Sequence, residues 1–151
     1  MVKVKRNAVT INTRCTGSRA PCSDILFIHG LYTNMAFWHP TLLRELGEQS
    51  RLLMYDQRGH GYSDMPASGY TLTELAHDAA AVLDAYEAGP QTDIVAHSFG
   101  SAVAIQLARL YPDRIRSIVL LDARLRLFQP VMKLRDWPDF VSWRAPAFVM
   151  L

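Results

Sequence analysis

The stretch Asp93-Ile-Val-Ala-His-Ser-Phe-Gly-Ser-Ala-Val103 (DIVAHSFGSAV) passes from a run of β-forming residues to a run that is typical of a helix. A strand that turns into a helix without a loop forces the residue at the turn into a strained backbone geometry and needs small neighbours. Ala96 and Gly100 are those neighbours of Ser98. The Ser98 hydroxyl would then lie exposed above the sheet, beside unpaired backbone N–H groups at the helix N-terminus. The stretch therefore predicts a serine held in the geometry of a nucleophile.

Length and composition place the chain among ordinary globular proteins. It has 151 residues, of which half are hydrophobic and a fifth are charged, and its net charge is +2. This length is that of one domain with one core. The small net charge argues against a nucleic-acid partner, and the basic residues at 114–126 are interpreted as a solvated face because no aromatic residues are interleaved with them.

The sequence also argues against a membrane span, a metal site and a cofactor site. Residues 1–14 are basic but lack the apolar segment of a secretory signal, and no apolar run reaches the roughly 18–20 residues of a membrane span. Cys15 and Cys22 are too few for a metal site or a disulfide framework. We therefore expect a cytoplasmic protein that needs no membrane, metal or cofactor.

Apolar runs and turn signals predict strands that alternate with helices. The predicted strands are 2–6, 8–15, 24–28, 51–55, 93–96 and 115–121, and the predicted helices begin at residues 40, 72 and 99. The second helix has the clearest signals, because Thr71 and Glu74 have the spacing of a capping box and Gly89-Pro90 stops it. This alternation indicates an α/β fold with a mainly parallel sheet of about six strands and helices on both faces.

Residues that carry chemistry collect where the predicted strands end. Three such ends hold 29–31 (HGL), 56–63 (DQRGHGYS) and 97–100 (HSFG). Ligands of open α/β sheets bind outside the carboxyl ends of the strands, so the three motifs would meet at one edge. In this order and spacing they resemble the N-terminal half of the α/β-hydrolase superfamily, which shows His-Gly, Asp-x-Arg-Gly-x-Gly-x-Ser and Gly-x-Ser-x-Gly. The resemblance covers about residues 1–122 and implies an incomplete α/β-hydrolase fold.

The resemblance implies a role for each matching residue. Ser98 resembles the nucleophile. The backbone N–H groups of Leu31 and Phe99 would form the oxyanion hole, which stabilises negative charge on a carbonyl oxygen. Asp56 and Arg58 resemble a structural turn of the family, in which we expect an Asp–Arg pair to hold the loop.

A serine nucleophile needs a base, and the superfamily takes it from a histidine after its eighth strand, with an acid usually after its seventh. All five histidines of this chain lie at or before position 97. His29, on the neighbouring strand, is the better substitute base, although the resemblance favours its shaping the oxyanion loop. The ring of His97 should point away from Ser98, because successive strand residues face opposite sides. Asp122, at the end of the sixth strand, is a candidate acid.

Two interpretations stay open. In the first, the chain is the N-terminal portion of a serine hydrolase for a small ester, thioester or related carbonyl substrate. Residues 1–122 would then belong to the core, and residues 123–151 would start a helical lid. In the second, the chain is a non-catalytic, naturally short paralogue that binds a small ligand or a partner chain. Its sixth strand would be an exposed apolar edge, which invites pairing and predicts a symmetric homodimer.

Overall fold

The computed structural model describes residues 2–18, 23–38 and 40–123 of the chain. In this part the elements follow one another as β1 (Val2–Arg6), β2 (Val9–Gly17), β3 (Ser23–Ile28), α1 (Pro40–Gly47), β4 (Ser50–Tyr55), α2 (Leu72–Ala85), β5 (Thr92–His97), α3 (Phe99–Leu110) and β6 (Ile115–Leu121). Short 3-10 turns at Met35–Phe37 and Pro112–Arg114 precede α1 and β6. All the predicted strands and helices are present, which confirms the predicted alternation.

The strands form one sheet in the order β1-β2-β4-β3-β5-β6. The strands β4, β3, β5 and β6 pair in parallel, and β2 pairs antiparallel with β1 and β4. This is the mainly parallel sheet that the sequence predicts. Because parallel strands end at the same edge, the segments that follow β3, β4, β5 and β6 begin side by side.

Helices cover both faces of the sheet. Leu26 and Ile28 of β3 belong to the larger core, which packs against α2 and α3. Ile25 and Phe27 of the same strand belong to the smaller core, together with Trp38 before α1. Successive residues of β3 therefore alternate between the two cores, as the period of a strand requires. A strand that is buried on both faces is apolar throughout, which is why its sequence shows a continuous apolar run.

The helix α2 begins with half of the predicted capping box. The hydroxyl of Thr71 accepts a hydrogen bond from the Glu74 N–H at 3.2 Å. The Glu74 side chain does not complete the box, because it accepts a bond from the Arg6 guanidinium at 2.8 Å instead. Of the helices in the described part, none has the length and apolar character that a membrane crossing needs. A cytoplasmic location stays a prediction.

The strand β6 is an edge of the sheet in the described part of the chain. Its residues Val119 and Leu121 are 49% and 39% exposed, and Arg116 and Ser117 of the same strand are exposed as well. The homodimer through this edge stays a prediction. The division between a core at 1–122 and a lid at 123–151 also stays a prediction, because residues 124–151 lie outside the described residues.

Candidate active site

Ser98 lies at the turn from β5 into α3, with no loop between them. Its backbone has φ 51° and ψ −116°, a conformation that costs a residue other than glycine on the order of 1–3 kcal/mol. Its N–H donates to the carbonyl of Leu121 at 2.9 Å, which ties the turn to the end of β6. Its side chain does not cap α3. The helix therefore makes no use of the hydroxyl.

Gly100 allows α3 to start directly against the end of β3. A Cβ atom at this position would meet the carbonyl oxygens of Ile28 and, at 2.6 Å, of His29. Backbone oxygens cannot move aside as a flexible side chain can. Any larger residue would push the first turn of α3, with Ser98 and Phe99, away from β3. The small residue expected at this position is thus required by a backbone contact.

The segment after β3 lies against Ser98. A Cβ atom at Gly30 would be 3.2 Å from Ser98 Cβ and 3.0 Å from His97 Nδ1. The peptide group between Gly30 and Leu31 therefore lies beside the serine. The structure brings together two of the three predicted strand ends at this point.

Two hydrogen bonds orient the peptide that joins Gly30 to Leu31. The Gly30 carbonyl accepts from His29 Nδ1 at 2.7 Å and from Thr33 Oγ1 at 3.1 Å. A trans peptide holds its C=O and N–H on opposite sides, so these bonds also fix the direction of the Leu31 N–H. Phe99 is the first residue of α3, and the N–H of a first helical residue has no acceptor within its helix.

His29 is fully buried and uses both ring nitrogens on neighbouring backbone. Besides the Nδ1 bond to Gly30, its Nε2 accepts from the Gln57 N–H at 3.0 Å, and the Gln57 side chain donates to the His29 carbonyl at 2.6 Å. Burial lowers the pKa of His29 to about 4, so the ring is neutral, as an accepting Nε2 requires. Neither nitrogen can take a proton from Ser98. The prediction that His29 substitutes for the base is therefore wrong.

None of the other described histidines is hydrogen-bonded to Ser98. The ring of His97 stacks on Phe37 with centroids 4.4 Å apart. His60 Nδ1 lies 3.1 Å from the Arg58 carbonyl, and His77 Nδ1 lies 2.7 Å from a tyrosine hydroxyl of α3's C-terminal end. His39 lies outside the described residues. Within the described ranges, no group of three or more His, Cys, Asp or Glu side chains is arranged to hold a metal ion.

Asp122 directly follows β6 and is exposed. Its backbone φ is 48°, a left-handed conformation that aspartate adopts more readily than most residues. The preceding residue, Leu121, accepts the N–H of Ser98. Asp122 therefore begins the segment that leaves the sheet beside the serine. Its role as an acid stays a prediction.

The predicted pair of Asp56 and Arg58 is wrong. The Asp56 carboxylate accepts hydrogen bonds from the backbone N–H groups of Met35 at 2.8 Å and Tyr62 at 2.9 Å. Arg58 instead donates to both carboxylate oxygens of Asp78, at 2.5 and 2.7 Å. The two side chains point to opposite faces of the sheet, because Asp56 faces the turn before α1 and Arg58 faces α2. Each holds a different segment.

Sequence reasoning missed Thr33, Gln57 and Asp78. A signal existed for Asp78, since it lies three residues after Leu75 on the buried side of α2. A carboxylate at such a position needs a buried cation. Thr33 and Gln57 carried no signal, because a single polar residue in a loop has many ordinary uses.

Comparison with known proteins identifies the family. Residues 25–149 match the model of the family described as alpha/beta hydrolase fold. A 2-(acetamidomethylene)succinate hydrolase of Mesorhizobium japonicum is 36% identical over 120 residues, which are 80% of this chain and 41% of that protein. A haloalkane dehalogenase of Agrobacterium fabrum is 33% identical over 139 residues, which are 89% of this chain and 42% of that protein.

The solved structure of Est816, described as an N-acyl homoserine lactone degrading enzyme, has a similar fold. Its TM-score is 0.79 at 30% sequence identity, over 89% of this chain and 49% of that one. The chain spans about two fifths of the length of the curated relatives it matches. The matched range, the mainly parallel sheet and the strand-to-helix turn at Ser98 agree with one another. The chain belongs to the family of proteins with the alpha/beta hydrolase fold.

Proposed function

We propose that this chain carries the nucleophile of a serine hydrolase that acts on a small ester, thioester or related carbonyl substrate. The backbone of Ser98 is the observation that carries the proposal: a serine with φ 51° between β5 and α3, whose side chain does not cap the helix. Such strain persists only where the surrounding structure over-determines it, and it concentrates at functional sites. The close contact of Gly100 with β3 supplies that constraint here.

The oxyanion hole of this proposal consists of the N–H groups of Leu31 and Phe99. In the reaction, Ser98 Oγ forms a bond to the carbonyl carbon, and the electron pair of the C=O double bond moves to the oxygen. Donors that already point at this oxygen stabilise its charge without reorganisation. The bonds from His29 and Thr33 to the Gly30 carbonyl hold the Leu31 N–H in one direction in advance.

The proton of Ser98 has to leave to a base, and the described histidines do not provide one. The proposal therefore requires a histidine from outside the described residues. Asp122 is the candidate acid, because it follows β6 beside the serine. In a well-studied serine protease, loss of the catalytic histidine costs on the order of 10⁶ in kcat. We therefore expect little turnover from the described residues by themselves.

The surroundings of Ser98 favour a small molecule with an apolar part. Leu31, Tyr32 and Phe37 on the segment after β3 are 45%, 77% and 43% exposed. Serine at position 98, rather than aspartate, disfavours haloalkane dehalogenase and epoxide hydrolase chemistry, which needs a carboxylate nucleophile. An acyl or carbonyl compound is therefore the substrate class that we propose.

A non-catalytic paralogue that binds a small ligand or a partner chain is the second candidate. Two observations on the described residues favour it. None of their histidines is hydrogen-bonded to Ser98, and the edge strand β6 offers exposed apolar residues for pairing. In this case the strained serine would serve a binding site.

Labelling with a fluorophosphonate separates the two candidates. The intact mass of the natural gene product is measured first. The protein is then treated with the probe, and mass spectrometry locates the adduct. We expect one adduct, on the peptide that contains Ser98. It should be absent in Ser98→Ala and present in Ser101→Ala, which removes the next serine of the same helical turn. Folded wild-type protein that takes no label would contradict the hydrolase and support the binding protein.

A further inference from the structure

A cavity of about 630 Å³ lies on the α1 face of the sheet, apart from Ser98. This volume is within the range of about 300–1,000 Å³ that small-molecule sites occupy. Its walls come from β2, β4, the turn before α1, and α1 itself. The residues of the proposed hydrolase site, Ser98, Leu31 and Phe99, are not among those that line it.

Two arginines face this cavity from different elements. Arg14 lies on β2 and Arg44 lies on α1, and both are exposed. Five other described arginines form ion pairs, namely Arg6, Arg51, Arg58, Arg114 and Arg116. In the part of the chain that the structure describes, Arg14, Arg44 and Arg109 have no carboxylate partner. Two of these three line the same cavity.

The rest of the cavity wall is largely apolar. Met35, Leu43 and Met54 contribute side chains of the smaller core. The lining also contains a carboxylate, Asp56, which is 1% exposed. Its oxygens already accept hydrogen bonds from the Met35 and Tyr62 N–H groups and from the Asn12 side-chain amide, which take the place of its hydration.

Trp38 adds an unused hydrogen-bond donor to the wall. It lines the cavity and is 3% exposed. Its indole N–H is buried without an acceptor among the described residues. Buried donors are rarely left unpaired, because they lose their bonds to water without replacement. A ligand that brings an oxygen acceptor to the indole N–H would satisfy this donor.

We propose that the cavity binds a small organic carboxylate with an apolar body. The guanidinium groups of Arg14 and Arg44 hold the carboxylate through charge-assisted hydrogen bonds. The apolar body lies against Met35, Leu43 and Met54. This site is separate from the proposed hydrolase site, so it does not depend on the reaction proposed at Ser98.

Calorimetric titration of the whole chain tests this proposal with 4-phenylbutyrate as the probe and neutral 4-phenylbutyramide as its uncharged counterpart. We expect one site for the anion, and binding of the amide weaker by about tenfold or more. Arg14→Gln and Arg44→Gln should each weaken binding of the anion by about tenfold. Arg109→Gln, which removes the third unpaired arginine on α3, is the matched control and should bind as the wild type does.

The outcomes that overturn the proposal are distinct from those that concern Ser98. Absent binding overturns it, as does equal binding of the amide or binding that neither arginine affects. Binding at the hydrolase site would be insensitive to Arg14→Gln and Arg44→Gln and would change in Ser98→Ala. Because both arginines are exposed, the variants should fold, and their circular dichroism spectra check this.

Discussion

The fold holds Ser98 in an unfavourable backbone conformation and keeps the buried ring of His29 neutral well below its ordinary pKa. Ser98 has a positive φ because α3 starts against β3 without a loop. His29 is neutral because it is buried and because its Nε2 accepts the Gln57 N–H. Only the conformation of Ser98 could be predicted from the sequence, because it requires small residues around the serine.

The state of His29 predicts a pH dependence of stability. Burial lowers its pKa to about 4 in the folded chain, whereas the unfolded chain keeps the ordinary value of 6.5. Between these values the unfolded chain binds more protons, so the free energy of unfolding falls as the pH falls. Between about pH 6.5 and about pH 5, protonation of this group in the unfolded chain should lower the free energy of unfolding by about 2 kcal/mol. Urea unfolding at the two pH values measures this change.

The His29→Gln variant isolates this contribution. It removes the titrating ring, so its free energy of unfolding should change less over the same pH interval than that of the wild type. His77→Gln serves as the control, because that ring is half-buried on α2 and bonds to a tyrosine hydroxyl. If wild type and His29→Gln had equal slopes against pH, the buried neutral state of His29 would be contradicted.

At the scale of elements, a buried carboxylate joins α2 to two distant segments. Asp78 is fully buried and accepts both bonds from Arg58, which is 3% exposed, on the loop after β4. It also accepts a bond from Arg6 of β1 at 3.1 Å. A buried charge without its partner pays the full cost of desolvation. The position of α2 therefore depends on this group as well as on apolar packing.

Asp78→Asn should lower the free energy of unfolding by about 3 kcal/mol, because it leaves the buried Arg58 with only the partly exposed Glu74 carboxylate, at 3.7 Å, as a partner. The control is Asp84→Asn, whose partner Arg114 forms an exposed pair, and its cost should be below about 1 kcal/mol. The double replacement of Arg58 by Met and Asp78 by Leu should recover most of the loss. Equal urea midpoints for the two single variants would show that the buried pair does not stabilise the fold.

The elements could be predicted from the sequence because their signals are local. The apolar run at β3 and the Thr71–Glu74 spacing lie within single elements. The pair of Arg58 and Asp78 could not be predicted, because it depends on which face of the sheet each side chain meets after β4. At the site, Ser98 and its small neighbours are local signals. The hydrogen bond from the Gln57 N–H to His29 Nε2 instead joins residues that are 28 positions apart.

At the scale of the whole molecule, the two edges of the described sheet differ in their protection against pairing. The strand β1 carries exposed Lys3 and Lys5, and charged residues on an edge oppose the addition of another strand. The strand β6 exposes Val119 and Leu121, and its exposed Arg116 is paired with Asp93 of the neighbouring strand. An apolar edge with unpaired N–H and C=O groups is a template for another strand.

We therefore expect the chain as printed to form a symmetric dimer through β6, with a sedimentation coefficient that rises with concentration. Val119→Lys should shift the equilibrium to the monomer, because a lysine on an edge strand loses its hydration when another strand pairs with it. Ile105→Lys is the matched control, since Ile105 is 41% exposed but lies on α3. A monomer of 17.0 kDa at every concentration would contradict the dimer. Equal association of both lysine variants would place the contact on a surface other than β6.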